Sequence, residues 1–213
     1  MPYASVIDWY GPFATIAALK DKATAWGLVE SLYVAIGSRP RQRGVDIQYV
    51  GITTDLTLRF DGKHPIQTVL RRENLRLYIG LVSSQQVAGR KATHHARNWS
   101  ALLYLAESAL AFLMELPLNK AKRCTPPGDS VVVINRWYSP DEVRRRRRPH
   151  PSWPDLVEYD IDENIGDLAW HGRRRKHLNS EAIIEIGRRA RQQRRDQKDK
   201  ALKEALALLD VAT

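Results

Sequence analysis

The stretch SLYVAIGSRPRQRGVDIQYVGIT, residues 31–53, sets two short apolar runs rich in β-branched residues around a polar, arginine-rich connection. One tyrosine stands at the middle of each run, Tyr33 and Tyr49. A phenol both donates and accepts hydrogen bonds, and it serves as a base once its proton is drawn off. Its ordinary pKa of about 10 lies roughly three units above a good general base at neutral pH. Such a role therefore needs nearby cations, or it leaves the phenol to position a water. Packing inside a strand explains one tyrosine well and a matched pair less well.

Cations are plentiful. The chain holds 34 Lys and Arg against 24 Asp and Glu, a net charge of +10. They are clumped as RRRRR at 144–148, RRRK at 173–176 and RRARQQRR at 188–195, and an acidic stretch at 155–167 separates the first two clumps. Each phosphate that such a clump neutralises releases counterions, so a polyanion is the expected partner. Arg144, Arg145, Arg146, Arg173, Arg174, Arg175, Arg188 and Arg189 are the candidate contacts. Charge alone does not separate DNA from RNA, or an enzyme from a binder. The single cysteine, Cys124, excludes a disulfide framework and a cysteine-rich zinc site. No apolar run reaches the ~18 residues of a membrane span, and the start MPYASVIDWYGPF lacks the basic-then-apolar pattern of a secretory signal. A cytoplasmic location is expected.

The elements that would position the tyrosines read as follows. Residues 1–28 form a lead-in in which FATIAALKDKATAWGLV supplies a helix. Strands are expected over 32–36 and 47–52, joined by a loop through Pro40 and Gly44. Thr53, Thr54 and Asp55 cap a short helix through Leu58 and Arg59. HPIQTVLRREN gives another short helix with proline in its first turn, and LRLYIGLVSS a third strand over 75–84. Over 92–116, Trp99, Leu102, Leu103, Ala106, Leu110 and Leu113 recur at steps of three and four and predict a long helix, which Pro117 ends. VVVINRWY reads as a further strand, and the final helix runs over 180–209 with a middle too polar to be buried.

Taken together, Tyr33, the triplet Tyr49-Val50-Gly51, and Arg59 ten residues past Tyr49 resemble the GIY-YIG nucleases. The resemblance continues in YLAESALAFLMELPLNKAKR, similar to the family's closing helix with its glutamate, proline and asparagine, and it covers residues 30–123. It implies an α+β fold with a small three-stranded antiparallel sheet flanked by helices. In that division 1–28 is a helical lead-in, 29–125 the nuclease core, and 126–213 a basic C-terminal extension that ends in a helix and serves DNA binding or dimerisation.

The resemblance also implies roles. Glu107 would be the sole carboxylate holding one divalent ion, Mg²⁺ or Mn²⁺, and Arg59 would bind the scissile phosphate. Tyr33 would stand nearest the attacking water with Tyr49 in support. Lys63, four residues after Arg59, and the adjacent His64 would take a proton or touch the phosphate. Asn119 would hold the geometry by hydrogen bonds. The implied activity is a metal-dependent endonuclease acting on double-stranded DNA, in restriction or phage defence, with a homodimer as one route to double-strand cleavage. A mobile-element nuclease, RNA cleavage, and an inactive binder are the alternatives. The inactive binder draws on Ser31, which stands where the family has glycine. His94 and His95 could touch DNA. Trp137, Tyr138, Trp153, Tyr159 and Trp170 either stack on bases or cap a small core, and the core reading carries more weight.

Overall fold

The computed structural model describes residues 3–85, 99–172 and 174–210. The elements are β1 (Tyr3–Phe13), α1 (Ile16–Ala25), β2 (Ser31–Gly37), β3 (Asp46–Thr53), α2 (Leu56–Arg59), α3 (Pro65–Val69), β4 (Arg76–Gln85), α4 (Trp99–Leu113), β5 (Val131–Tyr138), β6 (Arg144–Arg145), β7 (Leu156–Asp160), β8 (Ile165–Trp170), β9 (Arg174–Leu178) and α5 (Ser180–Asp210). All these strands join one sheet in the order β3-β2-β4-β1-β5-β7-β8-β9, with β6 paired to β5. The β1–β5 pair is parallel and the rest are antiparallel.

The expectation of a small three-stranded sheet is thereby corrected. The three strands it rested on do pair as β3-β2-β4, but β4 is not an edge. Trp9 of β1 lies opposite Gly80 on one side and Trp137 on the other, so β1 welds β4 to the C-terminal strands. The fold is α+β with one nine-stranded mixed sheet running through all three segments read from the sequence. Asp8, which breaks the apolar run of β1, is answered by the Arg136 guanidinium through two bonds of 2.6 and 2.8 Å.

Alternation along the strands divides the interior into two layers. Leu32, Val34 and Ile36 of β2 face α4 and the start of α5, where Leu103, Ala106, Leu110, Ile183 and Ile186 pack. Tyr33 and Ala35 face the opposite layer, made by Leu19 and Ala23 of α1, Leu56 of α2, Phe60, and Ile66 of α3. The two layers therefore meet at the outer edge of β3, where the sheet begins. The expected helix from residue 92 starts outside the described residues, and its described part is α4. Helix α5 is anchored by Ile183, Ile186 and Ala190, and from Arg191 to Leu208 it is exposed on every side, as its polar middle requires. Among the described residues no helix is long and apolar enough to cross a membrane.

Candidate active site

In the β2–β3 ladder Tyr33 lies opposite Gly51 and Ala35 opposite Tyr49, so the two tyrosines are diagonal neighbours on one face. Their rings stack at 5.7 Å between centroids. A Cβ at Gly51 would stand 2.5 Å from the Tyr33 hydroxyl and 2.7 Å from the Tyr49 ring. The glycine is thus demanded by the close approach of both rings, not by its backbone angles.

Two short helices close over this pair. Asp55 caps α2 by accepting from the Thr57 and Leu58 amides, which sets the single turn that carries Arg59. Arg59 Nε donates to the Tyr33 oxygen at 2.8 Å. His64 caps α3, its Nδ1 accepting from the Ile66 amide, and its Nε2 stands 3.1 Å from the same Tyr33 oxygen. Burial, helped by the Arg59 charge, pushes the His64 pKa down to about 4. The ring is therefore neutral near pH 7. With Nδ1 serving as acceptor, the proton sits on Nε2 and points at Tyr33. The Tyr33 oxygen thus receives two donors. Burial, then Tyr49, pushes the Tyr33 phenol far above its usual range, so it stays protonated. Tyr33 is 0 % exposed, whereas Tyr49 reaches a cavity.

The other half of the site forms along the edge of β3. Backbone groups at 48, 50 and 52 point away from β2, and each finds a neighbour. The Leu118 amide donates to the Gln48 carbonyl at 3.0 Å. Asn119 accepts from the Val50 amide at 3.0 Å and donates to the Val50 carbonyl at 2.6 Å. The Ile52 amide has the Glu107 carboxylate as its neighbour. Glu107 comes from α4, on the layer opposite the tyrosines, and reaches the shared edge. Burial raises its carboxyl pKa, while Lys122 and, more weakly, Arg59 work the other way. The Lys122 ammonium forms an ion pair with Glu107 Oε2.

Tyr49, Arg59, Thr68, Glu107, Asn119 and Lys122 line one cavity of about 550 Å³. A second, of about 340 Å³, is lined by Glu30, Ile52, Thr53, Thr54, Arg59 and Leu103, so the two share Arg59. Four of the residues singled out in the sequence are thus brought to one hollow, with Tyr33 and His64 directly behind it. Lys63 is not among them. Helix α2 ends at Arg59, the spacing to Lys63 has no helix to run along, and Lys63 lies in an exposed turn. Among the described residues no group of three His, Cys, Asp or Glu could hold a metal, and Glu107 is the one carboxylate among the described residues lining the larger cavity. Lys122 escaped the sequence reading. It follows Asn119 by three positions in a 3-10 turn, and no periodicity links it to Glu107.

The basic residues fall into two kinds. Arg144, Arg145, Arg146 and Arg147 are exposed and have no carboxylate partner among the described residues. By contrast Arg175 is tied to Asp167, Arg188 to Glu185, and Arg189 to Glu115 and Glu185. Arg174 lies over the Trp170 ring at 4.0 Å. Arg173, His94 and His95 lie outside the described residues. Trp137, Trp153, Tyr159 and Trp170 are buried in the core, and Tyr138 stacks on Tyr10. Compared with known proteins, the chain matches no family model, no curated protein and no solved structure.

Gly51→Ala is expected to lower the unfolding free energy by about 1–3 kcal/mol, the cost of overpacking. Gly62→Ala, where an added Cβ meets nothing within 4 Å, stays within about 0.5 kcal/mol of wild type. Urea melts of the two variants measure the difference. A second expectation concerns pH. The unfolded chain protonates His64 near 6.5 and the folded chain refuses that proton down to about 4. The unfolded state therefore binds more protons across this window, and stability falls as pH drops through it, by roughly 3 kcal/mol. In His64→Gln that component of the stability–pH curve is absent; parallel curves would assign the acid lability elsewhere.

Proposed function

We propose that the protein is a divalent-metal-dependent endonuclease that hydrolyses DNA phosphodiester bonds, related to the GIY-YIG nucleases and serving in restriction or phage defence. One observation carries this reading. Tyr49, Arg59, Glu107 and Asn119 lie far apart in sequence and on both layers of the sheet, yet they line one cavity. The charged residues that line it, Arg59, Lys120 and Lys122 against Glu107, leave an excess positive charge suited to a phosphate.

The donor set fits a hard divalent ion. Glu107 is a single carboxylate whose Oε2 already accommodates a cation, the Lys122 ammonium. A lone carboxylate leaves most coordination positions to water and phosphate, the arrangement Mg²⁺ favours. When bound there, the ion polarises the phosphate and relieves charge on the leaving oxygen.

The chain's own residues do the rest. Arg59 spans both cavities and holds the scissile phosphate, giving bidentate donors to the charge that builds on it. Tyr49, the phenol that reaches the cavity, takes the proton from the attacking water. Tyr33, stacked on Tyr49, steers Arg59 through the Nε bond. His64 fixes Tyr33 in that role. Asn119 keeps β3 in register with the end of α4. A binder without activity is favoured by one observation, the Lys122 ion pair that neutralises Glu107.

Incubation of the purified protein with supercoiled plasmid, single-stranded DNA and RNA, with Mg²⁺ or a chelator, tests the proposal. Cleavage of plasmid with Mg²⁺ alone is expected. Glu107→Gln abolishes it while DNA binding persists, and Tyr49→Phe lowers the rate about 10²–10⁴-fold. Preference for RNA would redirect the substrate, and cleavage indifferent to Glu107→Gln would overturn the site. The basic residues allow a separate measurement. Replacing Arg144, Arg145, Arg146 and Arg147 by alanine should weaken DNA binding and flatten its salt dependence by about 0.9 for each phosphate no longer neutralised. The carboxylate-paired Arg188 and Arg189 can be replaced with little change in that slope.

A further inference from the structure

The Lys122–Glu107 pair does not behave like ordinary surface pairing. The Glu107 side chain is 7 % exposed and that of Lys122 23 %, so both charges are largely withdrawn from water. Among the described residues neither Glu107 Oε2 nor Lys122 Nζ makes a further hydrogen bond, although an ammonium has three donors. The ammonium instead rests 3.5 Å from the ring centroid of Tyr104, one helical turn before Glu107 on α4. The ring is itself half-exposed. Lys122 is thus held by two supports, a carboxylate on one side and an aromatic face on the other. Loss of the first would leave the second in place.

We infer that Lys122 is a built-in counter-ion that occupies Glu107 until a divalent cation takes its place. This rests on the proposed reading of Glu107 as the ion's ligand. The physical reason lies in the cost of a buried carboxylate. Left alone, Glu107 would carry an uncompensated charge in a poorly solvated position, which is strongly destabilising. The Lys122 ammonium removes that cost in the empty site. A doubly charged ion interacts more strongly with the same oxygen at comparable distance. It therefore displaces the ammonium, which stays over Tyr104 at the border of the cavity that Lys122 lines. The released cation then finds its new partner in the substrate phosphate. Lys122 is in this sense a positioning residue for Glu107: it weakens binding of the metal alone and so favours loading of metal and nucleic acid together.

The test reads metal binding without DNA, and so stands apart from any cleavage assay. Mn²⁺ is titrated by calorimetry into wild type, Lys122→Met, Lys122→Gln and the Lys122→Met/Glu107→Gln double variant, with circular dichroism reporting the fold. Removing the competitor should tighten Mn²⁺ binding at least tenfold in the Met variant and also in the Gln variant, which serves should the former fold poorly. The double variant should lose the site. Thermal melts give an independent sign. Without metal the Lys122→Met protein melts below wild type, and Mn²⁺ restores more stability to it than to wild type. Equal affinity in wild type and both lysine variants would overturn the inference while leaving the nuclease reading to the plasmid assay. Absence of any Glu107-dependent binding would overturn the inference together with the metal role of Glu107. Metal binding that follows the expected order in a protein that cuts no nucleic acid would uphold the counter-ion and sink the nuclease.

Discussion

Backbone groups at 48, 50 and 52 sit where the sheet stops, and the end of α4 and the turn after it cover them. Unpaired there, each would cost about as much as a missing hydrogen bond, and the strand would offer an open edge to any other chain. Leu118 and Asn119 answer those at 48 and 50 much as another strand would, and the Glu107 carboxylate stands beside the amide at 52. This is the constraint from which the site follows. A carboxylate and an amide are fixed beside β3 because its edge must be closed, and the same closure brings the two layers of the sheet together. Tyr49 of one layer and Glu107 of the other then face a common hollow without either crossing the sheet.

Such an arrangement ties stability to the site chemistry. Asn119 cannot turn toward a ligand without releasing Val50, so its place is to hold the strand. Glu107 is different. One of its interactions is with the Ile52 amide, and Oε2 is engaged only by a lysine. Its anchoring and its chemistry therefore use different interactions. Gly51 belongs to the same economy of space, since the ladder admits both rings only where no Cβ intervenes.

Much of this was legible in the sequence where pattern is local. The alternation of β2 and β3, the Asp55 cap, the apolar periodicity of α4 and the polar reach of α5 all follow from neighbours within a few residues. The extent of the sheet was not legible. β1 is interrupted by Asp8, whose partner Arg136 is supplied from β5, far along the chain. β9 reads RRKHL and has no apolar face of its own; its pairing is dictated by β8, whose Asp167 takes Arg175. Likewise the basic clumps looked alike as sequence, but long-range carboxylates divide them into tied and free cations. Within the site, the matched tyrosines stood out by type and spacing, and Arg59, Glu107 and Asn119 only through the resemblance to the GIY-YIG nucleases. The order of the phenols did not, because it depends on depth. Tyr33 lies opposite Gly51 beneath two helices and Tyr49 lies nearer the open edge.

That order has a cause which lies outside the hairpin. An α3 that begins at Pro65 leaves the Ile66 amide in need of an acceptor, and His64 Nδ1 provides it. The helix cap thereby decides which nitrogen carries the imidazole proton. The imidazole in turn fills the acceptor capacity of Tyr33 alongside Arg59, beneath the Tyr49 ring that stacks on it. A polar chain thus runs from a helix start to the buried phenol that stacks on Tyr49. Such a chain holds Tyr33 and Arg59 in place, which the packing of two rings alone would not do. It asks nothing of sequence beyond a histidine placed immediately before a proline.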